Sequence, residues 1–253
     1  MKTTTNEEVV EGIILKKTSY KENDAILHIY TKEYGKIGVL ARGVKKMTSK
    51  NARACQDMMI SEMTIHLKKG LSSLIKATPI DYLRHIKENI ESEIVANYIL
   101  EYYYRYVGDN QPLQEEYQMI DGALKALDHG YPPLLVYLLM NVFILEHNGV
   151  SLNVEGCVLC DSPHVVSISL LDGGFVCENH LQKNPTYSID VLKAFRHIHK
   201  ISIEHIDALH IDEKVIKQLV PIMDAFARDI LEINKNKKHL FNKLCRISAQ
   251  FYF

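Results

Sequence analysis

The chain has 253 residues, 47% hydrophobic and 24% charged, which excludes a disordered tail and leaves room for two or three folded domains. Net charge is −1, but residues 1–80 hold 14 Lys+Arg against 8 Asp+Glu, a local balance of +6, and the remainder carries −7. A chain polarised in this way can direct one end at phosphate and the other at something else.

The opening MKTTTNEEVV has no apolar core after its lysine, so no secretory signal is read there. The longest apolar run, LLVYLLM, ends at Asn141, and the whole Pro133–Leu145 segment is too short to cross a bilayer. A cytoplasmic protein with no membrane partner is expected. Of five cysteines, Cys55 and Cys245 stand alone, while Cys157, Cys160 and Cys177 cluster. An odd count with a Cys-x-x-Cys pair in a cytosolic chain argues for metal and against a disulfide framework.

Val9–Lys17 reads as a first strand and Tyr20–Asp24 as a polar turn. Ala25–Tyr30 is a second strand, with Ile26, His28 and Tyr30 alternating against Leu27 and Ile29. Lys32-Glu33-Tyr34-Gly35 reads as a hairpin loop, Gly35 being free to take positive φ. Ile37–Ala41 is a third strand. A loop follows that carries Arg42, Lys45, Lys46, Lys50 and Arg53 with no acid between them. Cys55–Leu67 is a fourth strand, Gly70 breaks it, and Leu71–Ala77 is a fifth. Five short strands in about eighty residues fit a small closed barrel of the OB type.

From Asp81 the period changes. Asp81–Tyr106 reads as helix, with Ile86, Ile90, Ile94, Tyr98 and Tyr102 at near-helical spacing. Leu113–Leu127 is a second helix and Leu134–His147 a third, opened by Pro132-Pro133 and closed by Asn148-Gly149. The third is apolar nearly all round, which belongs at the centre of a bundle. Ser188 caps a helix from Ile189 to about His199. Asp212–Asn234 is a long amphipathic helix with Val215, Leu219, Met223, Phe226 and Ile230 on one face and a bend expected near Pro221. Leu240–Phe253 reads as a further short helix. The fold class is thus α+β and multidomain: an OB-fold β-barrel over residues 1–80, a helical domain in two parts over 81–150 and 186–253, and a metal module inserted at 151–185.

Cys157-Val-Leu-Cys160 and Cys177-Glu-Asn-His180 are two ligand pairs with identical two-residue gaps, sixteen residues apart. Such a gap lets both side chains of a tight knuckle point at one ion, and two knuckles complete the tetrahedral shell that Zn²⁺ prefers. Val165–Leu171 followed by Asp172-Gly173-Gly174-Phe175 reads as a hairpin that brings the knuckles together. Four protein ligands leave no position for water, so the zinc is expected to be structural. His164 is a rival fourth ligand; His180 is preferred because its spacing mirrors the first pair. The alternative is buried small cysteines beside a surface histidine.

The cationic loop Arg42–Arg53 suits a nucleic-acid backbone, and the competing reading is a solvated loop. Lys16, Lys17, Lys21, Lys68 and Lys69 are candidates to extend it, and Tyr20, Tyr30 and Tyr34 to stack on bases, with Tyr30 reading equally well as core. Tyr98, Tyr102, Tyr103, Tyr104 and Tyr106 read as helix packing rather than a stacking surface. His197, His199, His205 and His210 do not share one helix face and read as ordinary surface or interface histidines. No acid pair sits beside a nucleophile and no Gly-rich phosphate loop occurs. No catalytic set is found, which fits a binding protein.

The phrases EGIIL and YKENDAILHIYTKEYGKIGVLARG, together with GCVLC and GGFVCENH, resemble the RecO family of bacterial DNA repair and recombination mediators, from about Glu11 to His180. The resemblance implies an N-terminal OB barrel that binds single- and double-stranded DNA, and annealing of complementary strands. It implies help in loading the RecA recombinase onto strands coated with single-strand-binding protein (SSB), together with RecR. SSB would engage through its C-terminal tail, and the protein would work at the nucleoid. The ending NKLCRISAQFYF matches the family's usual ending poorly. Two other functions fit the same features: an RNA-binding accessory factor built on the barrel, and a metal-dependent nuclease using the histidines. A blander alternative is a chain that has lost its DNA site and only bridges partners.

Overall fold

The computed structural model describes residues 6–233, with side chains described through residue 227. The helix expected at Leu240–Phe253, Cys245 and the side chain of Ile230 lie outside that range. The chain divides into two compact units that meet in sequence between Gly130 and Tyr131.

The first unit opens with five strands: β1 (Glu7–Tyr20), β2 (Asp24–Thr31), β3 (Gly35–Ala41), β4 (Ile60–His66) and β5 (Leu71–Asp81). They close into a barrel in the order β1-β2-β3-β5-β4, antiparallel throughout except for the parallel β3–β5 pair. Closure removes free edges, which is how an OB-like barrel holds so short a sheet together. Alternate residues point inward, and Val10, Ile14, Leu27, Ile29, Val39, Met63 and Ile65 fill the interior. Gly35 takes φ +63° in the β2–β3 turn, and a Cβ there would lie 2.5 Å from the Gln111 carbonyl oxygen, so only glycine fits.

Two sequence expectations are corrected here. The fourth strand begins at Ile60, not Cys55, because residues 55–58 turn and Met58 sits at φ +65°. The helix expected from Asp81 begins at Ile90. Leu83 at φ +45° breaks the chain's direction, His85–Glu88 is a single 3₁₀ turn, and Asn89 stays extended as the cap, its side chain accepting from the N–H groups of Glu91 and Ser92. Helix α1 (Ile90–Tyr106) and α2 (Gln114–Asp128) complete the unit, with α1 packed on β1. The tyrosines of α1 are packing residues: Tyr98, Tyr102 and Tyr103 are buried, and Tyr103 meets Tyr30 edge to face at 5.2 Å.

A polar plug sits inside this packing. The Tyr30 hydroxyl donates to Glu116 Oε2 at 2.6 Å, and the Tyr103 hydroxyl donates to the Glu116 carbonyl at 2.8 Å. Glu116 is 1% exposed, so the Tyr30 hydroxyl serves its carboxylate and the Tyr103 hydroxyl its main-chain carbonyl. Burial, then the hydrogen bond to Glu116, pushes the Tyr30 phenol far up, which keeps it a donor at every physiological pH.

The second unit starts with α3 (Pro133–His147), whose side chains are buried almost all round, as expected for a central helix. It packs on α5 (Glu213–Ile233), where the Tyr137 hydroxyl donates to Asp224 Oδ1 at 2.8 Å. Between them come a two-stranded hairpin of β6 (Ser167–Ser169) and β7 (Gly174–Val176), helix α4 (Ile189–Ile198) and a 3₁₀ segment at Ile203–Ala208. Ser188 caps α4 by accepting from the Val191 N–H.

Candidate metal centre and candidate nucleic-acid interface

Local backbone bonds build each knuckle of the metal centre. In the first, the Cys157 N–H donates to the Ser162 carbonyl at 2.9 Å, and the N–H groups of Cys160 and Asp161 return to the Cys157 carbonyl. In the second, the His180 N–H donates to the Cys177 carbonyl at 3.0 Å. The β6–β7 hairpin joins them, since the Val158 N–H donates to the Phe175 carbonyl at 2.9 Å. Gly174 lets this happen: a Cβ there would lie 2.3 Å from the Asn153 carbonyl oxygen.

The result places Cys157 Sγ and Cys177 Sγ each 3.4 Å from His180 Nδ1, with Cys160 Sγ 3.7 Å from Cys177 Sγ. All four donor atoms lie within 4.8 Å of one another. A tetrahedral ion with Zn–S bonds of about 2.3 Å and Zn–N of about 2.0 Å would hold sulfurs about 3.8 Å apart and sulfur and nitrogen about 3.5 Å apart. The sulfurs are far too distant for a disulfide, whose bond is about 2.05 Å. This cluster could hold a metal ion. His180, and not the exposed His164, stands in it. His197, His205 and His210 are exposed, and His199 points into packing, its Nδ1 2.7 Å from the Phe195 carbonyl; none joins a ligand cluster among the described residues.

Cys157 and Cys160 shift in opposite directions. Burial raises the Cys157 pKa, but backbone hydrogen bonds at Cys177 and Leu159 and the bond to His180 outweigh it and bring the thiol down to about 6. For Cys160 the backbone bond at Ser162 lowers the value, while burial and the neighbouring sulfurs raise it, and the net shift is upward. A divalent cation resolves this conflict by neutralising several thiolates at once.

The second candidate site is the connection from β3 to β4. Arg42, Lys45, Lys46, Lys50 and Arg53 are all exposed, and no ion pair holds any of them among the described residues. The loop itself is pinned. Val44, Ala54 and Cys55 are buried in the barrel core. The Gly43 N–H donates to Asp24 Oδ1 at 2.8 Å, and the Lys45 N–H to the Asn23 carbonyl at 3.0 Å. Asn51 Oδ1 accepts from the Ala77 N–H on β5 at 3.1 Å. A cationic loop with an anchored backbone presents its charges at little further entropic cost.

Not every sequence candidate joins this surface. Lys21 does: with Arg42 and Lys46 it lines a shallow concavity of about 500 Å³ beside the β1–β2 turn. Lys68 and Lys69 lie in the β4–β5 turn, at the end of β1 opposite to Lys21. The Lys16 ammonium sits 4.6 Å from the Tyr104 ring centroid. Tyr30 is core, Tyr34 packs against the core, and Tyr20 is exposed with Lys21 above its ring. Acids are not absent from the rim: Glu22 and Asp24 also line the Lys21 concavity, with Asp24 occupied by Gly43.

The fold and these two sites define an OB-barrel protein joined to a helical unit with a Cys₃His cluster. The sequence pattern described as "Recombination protein O N terminal" matches residues 5–83, and that described as "Recombination protein O C terminal" matches residues 87–239. Similar proteins include the DNA repair protein RecO of Exiguobacterium sibiricum, 26% identical over 94% of this chain and 97% of that protein. The DNA repair protein RecO of Bacillus mycoides is 30% identical over 76% of each chain, and that of Listeria welshimeri 29% identical over 70% of each. The chain belongs to the RecO family, and membership supports a role in DNA repair and recombination. No helix among the described residues is long and apolar enough to cross a membrane.

Proposed function

We propose that this protein is a non-catalytic recombination mediator working on DNA at the nucleoid. The barrel and its loop hold the phosphates of single- and double-stranded DNA without reading sequence. Two strands held in this way are screened from each other and can anneal. With RecR, the protein would help RecA displace SSB from single strands. The acidic, apolar C-terminal tail of SSB would be received by the helical unit, where Ile168, Leu170, Tyr187, Pro221 and Ile222 line a concavity of about 430 Å³ together with Lys217, which is ion-paired with Glu213. The metal bound by Cys157, Cys160, Cys177 and His180 is Zn²⁺, and its role is to hold the second unit together.

One observation carries the DNA reading: five exposed cations with no ion-pair partner among the described residues, on a loop whose backbone is fixed at both ends. Titrating the protein with a single-stranded oligonucleotide at rising salt tests it. Five neutralised phosphates give a log–log slope of about −3.5. Replacing Arg42, Lys45, Lys46, Lys50 and Arg53 with glutamine is expected to flatten the slope towards zero. An affinity that ignores both salt and these substitutions would overturn the reading. A single-stranded RNA of the same sequence, measured at one salt concentration, separates DNA preference from general polyanion binding.

A further inference from the structure

Beyond the far end of the cationic loop lies a second concavity of about 290 Å³, lined by Arg53, Gln56, Met59, Tyr82, Arg84 and Lys87. Three of its six residues are cations and none is an acid. The three are exposed, and none of them is held in an ion pair among the described residues. Like charges gathered around one hollow repel each other in the free protein, so the arrangement favours an anion placed among them.

The walls are built with unusual backbone. Leu83 is fully buried at φ +45°, its N–H donating to Asp81 Oδ1 at 3.0 Å, and its neighbours Tyr82 and Arg84 both line the hollow. Met58 is buried at φ +65°, its N–H held by the Ile14 carbonyl at 3.1 Å, next to the lining residue Met59. Left-handed backbone at two non-glycine residues is strained and persists where the surroundings over-determine it. The Arg84 guanidinium carbon lies 4.9 Å from the Tyr82 ring centroid, a cation–π contact that holds the guanidinium against the ring.

We propose that Arg53, Arg84 and Lys87 form a second seat for nucleic-acid backbone phosphate, with Tyr82 as the positioning residue for Arg84. The strand would then run from the Lys21, Arg42 and Lys46 concavity along the loop to this seat. Arg53 ends the cationic loop and also lines this seat, which joins the two. The proposal rests on the loop reading above and extends it past the barrel, onto the turn that precedes α1.

Full-length Arg84→Gln/Lys87→Gln protein tests the seat against single-stranded oligonucleotide across a salt series. Losing two phosphate contacts is expected to make the slope shallower by about 1.4, and at 0.1 M salt to weaken binding about 25-fold. Tyr82→Ala is expected to make the slope shallower by up to about 0.7, one contact, while Tyr82→Phe keeps the wild-type slope because the ring alone holds Arg84. A merely structural role for Tyr82 would lower the melting temperature and leave the slope intact. A wild-type slope for Arg84→Gln/Lys87→Gln, in a protein whose Arg42→Gln/Lys46→Gln variant is flattened, overturns the seat and leaves the loop reading standing. The reverse pattern supports the seat and removes the loop, and a wild-type slope in both variants removes both.

Discussion

Cys55 and Cys157 are both fully buried, yet they sit in opposite chemistry. Burial in the barrel pushes the Cys55 thiol up to about 11, beyond what Lys17 can offset, so it behaves as a small apolar residue. Hydrogen bonds at the knuckle bring Cys157 down to about 6, into the range where a thiolate is ready for a metal. The surroundings differ in the same sense. The barrel interior has fifteen buried residues and a closed set of strand pairs. The apolar cluster at the knuckles has three, Cys157, Val176 and Cys177, beside a hairpin whose strands have three residues each. A β-structure that small cannot offset its own ordering entropy, so an ion bound at the four donors would supply what apolar burial does not.

The sharpest way to break that comparison is to remove two ligands. Cys157→Ser/Cys160→Ser is expected to lose its metal, read by elemental analysis, and to lose the cooperative unfolding of the second unit. The scale is set by structural zinc sites, whose binding is worth about 10–16 kcal/mol in isolated fingers. DNA affinity should change less, because the cationic loop belongs to the other unit. A variant that folds as wild type without metal would remove the structural role.

A smaller effect sharpens the other half. Tyr30→Phe takes a donor from the buried Glu116 carboxylate while keeping the ring that packs on Tyr103. The expected loss is about 1–3 kcal/mol in the denaturant-induced unfolding of the first unit. It should be the same with and without a chelator, since no ligand of the metal cluster lies in that unit. A loss that grows when chelator is added would show that the two halves do not stabilise themselves separately.

Most of this contrast could be read from residue order. Strand alternation in β2 and β3 is set by side chains two apart, and the paired Cys-x-x-Cys and Cys-x-x-His gaps are visible without coordinates. Spacing symmetry favours His180 over His164, and in the structure Cys177 and His180 share one tight turn. The stretch around Tyr82-Leu83-Arg84 was not legible. Its apolar residues fit a helical period, but Leu83 turns left-handed and Asn89 caps α1, which depends on tertiary bonds such as those from the His85 and Ile86 N–H groups to Asp128 Oδ1. The cations at 84 and 87 were therefore hidden inside an expected helix, and nothing in the sequence joined them to Arg53. Tyr30, open in the sequence between core and stacking surface, is core, while Tyr20 is exposed.

The smallest expected effect concerns pH in the second unit. His199 is half-buried against Phe195, with ring centroids 4.4 Å apart, and its buried Nε2 has no hydrogen-bond partner among the described residues. Burial lowers its pKa below the ordinary 6.5, outweighing the bond to the Phe195 carbonyl. The unfolded chain then takes up a proton before the folded one does, so the contribution to stability is whole above 6.5 and declines as pH falls from there towards the folded value. A metal held at the Cys₃His cluster would add its own pH dependence to this unit. The informative quantity is thus the difference between wild type and His199→Leu, both metal-loaded, followed by denaturant melts from neutral to mildly acid pH. The variant should lose less stability than wild type as pH falls through 6.5; equal losses in the two proteins would mean that His199 is already solvated and that acid acts on the unit through its metal ligands alone.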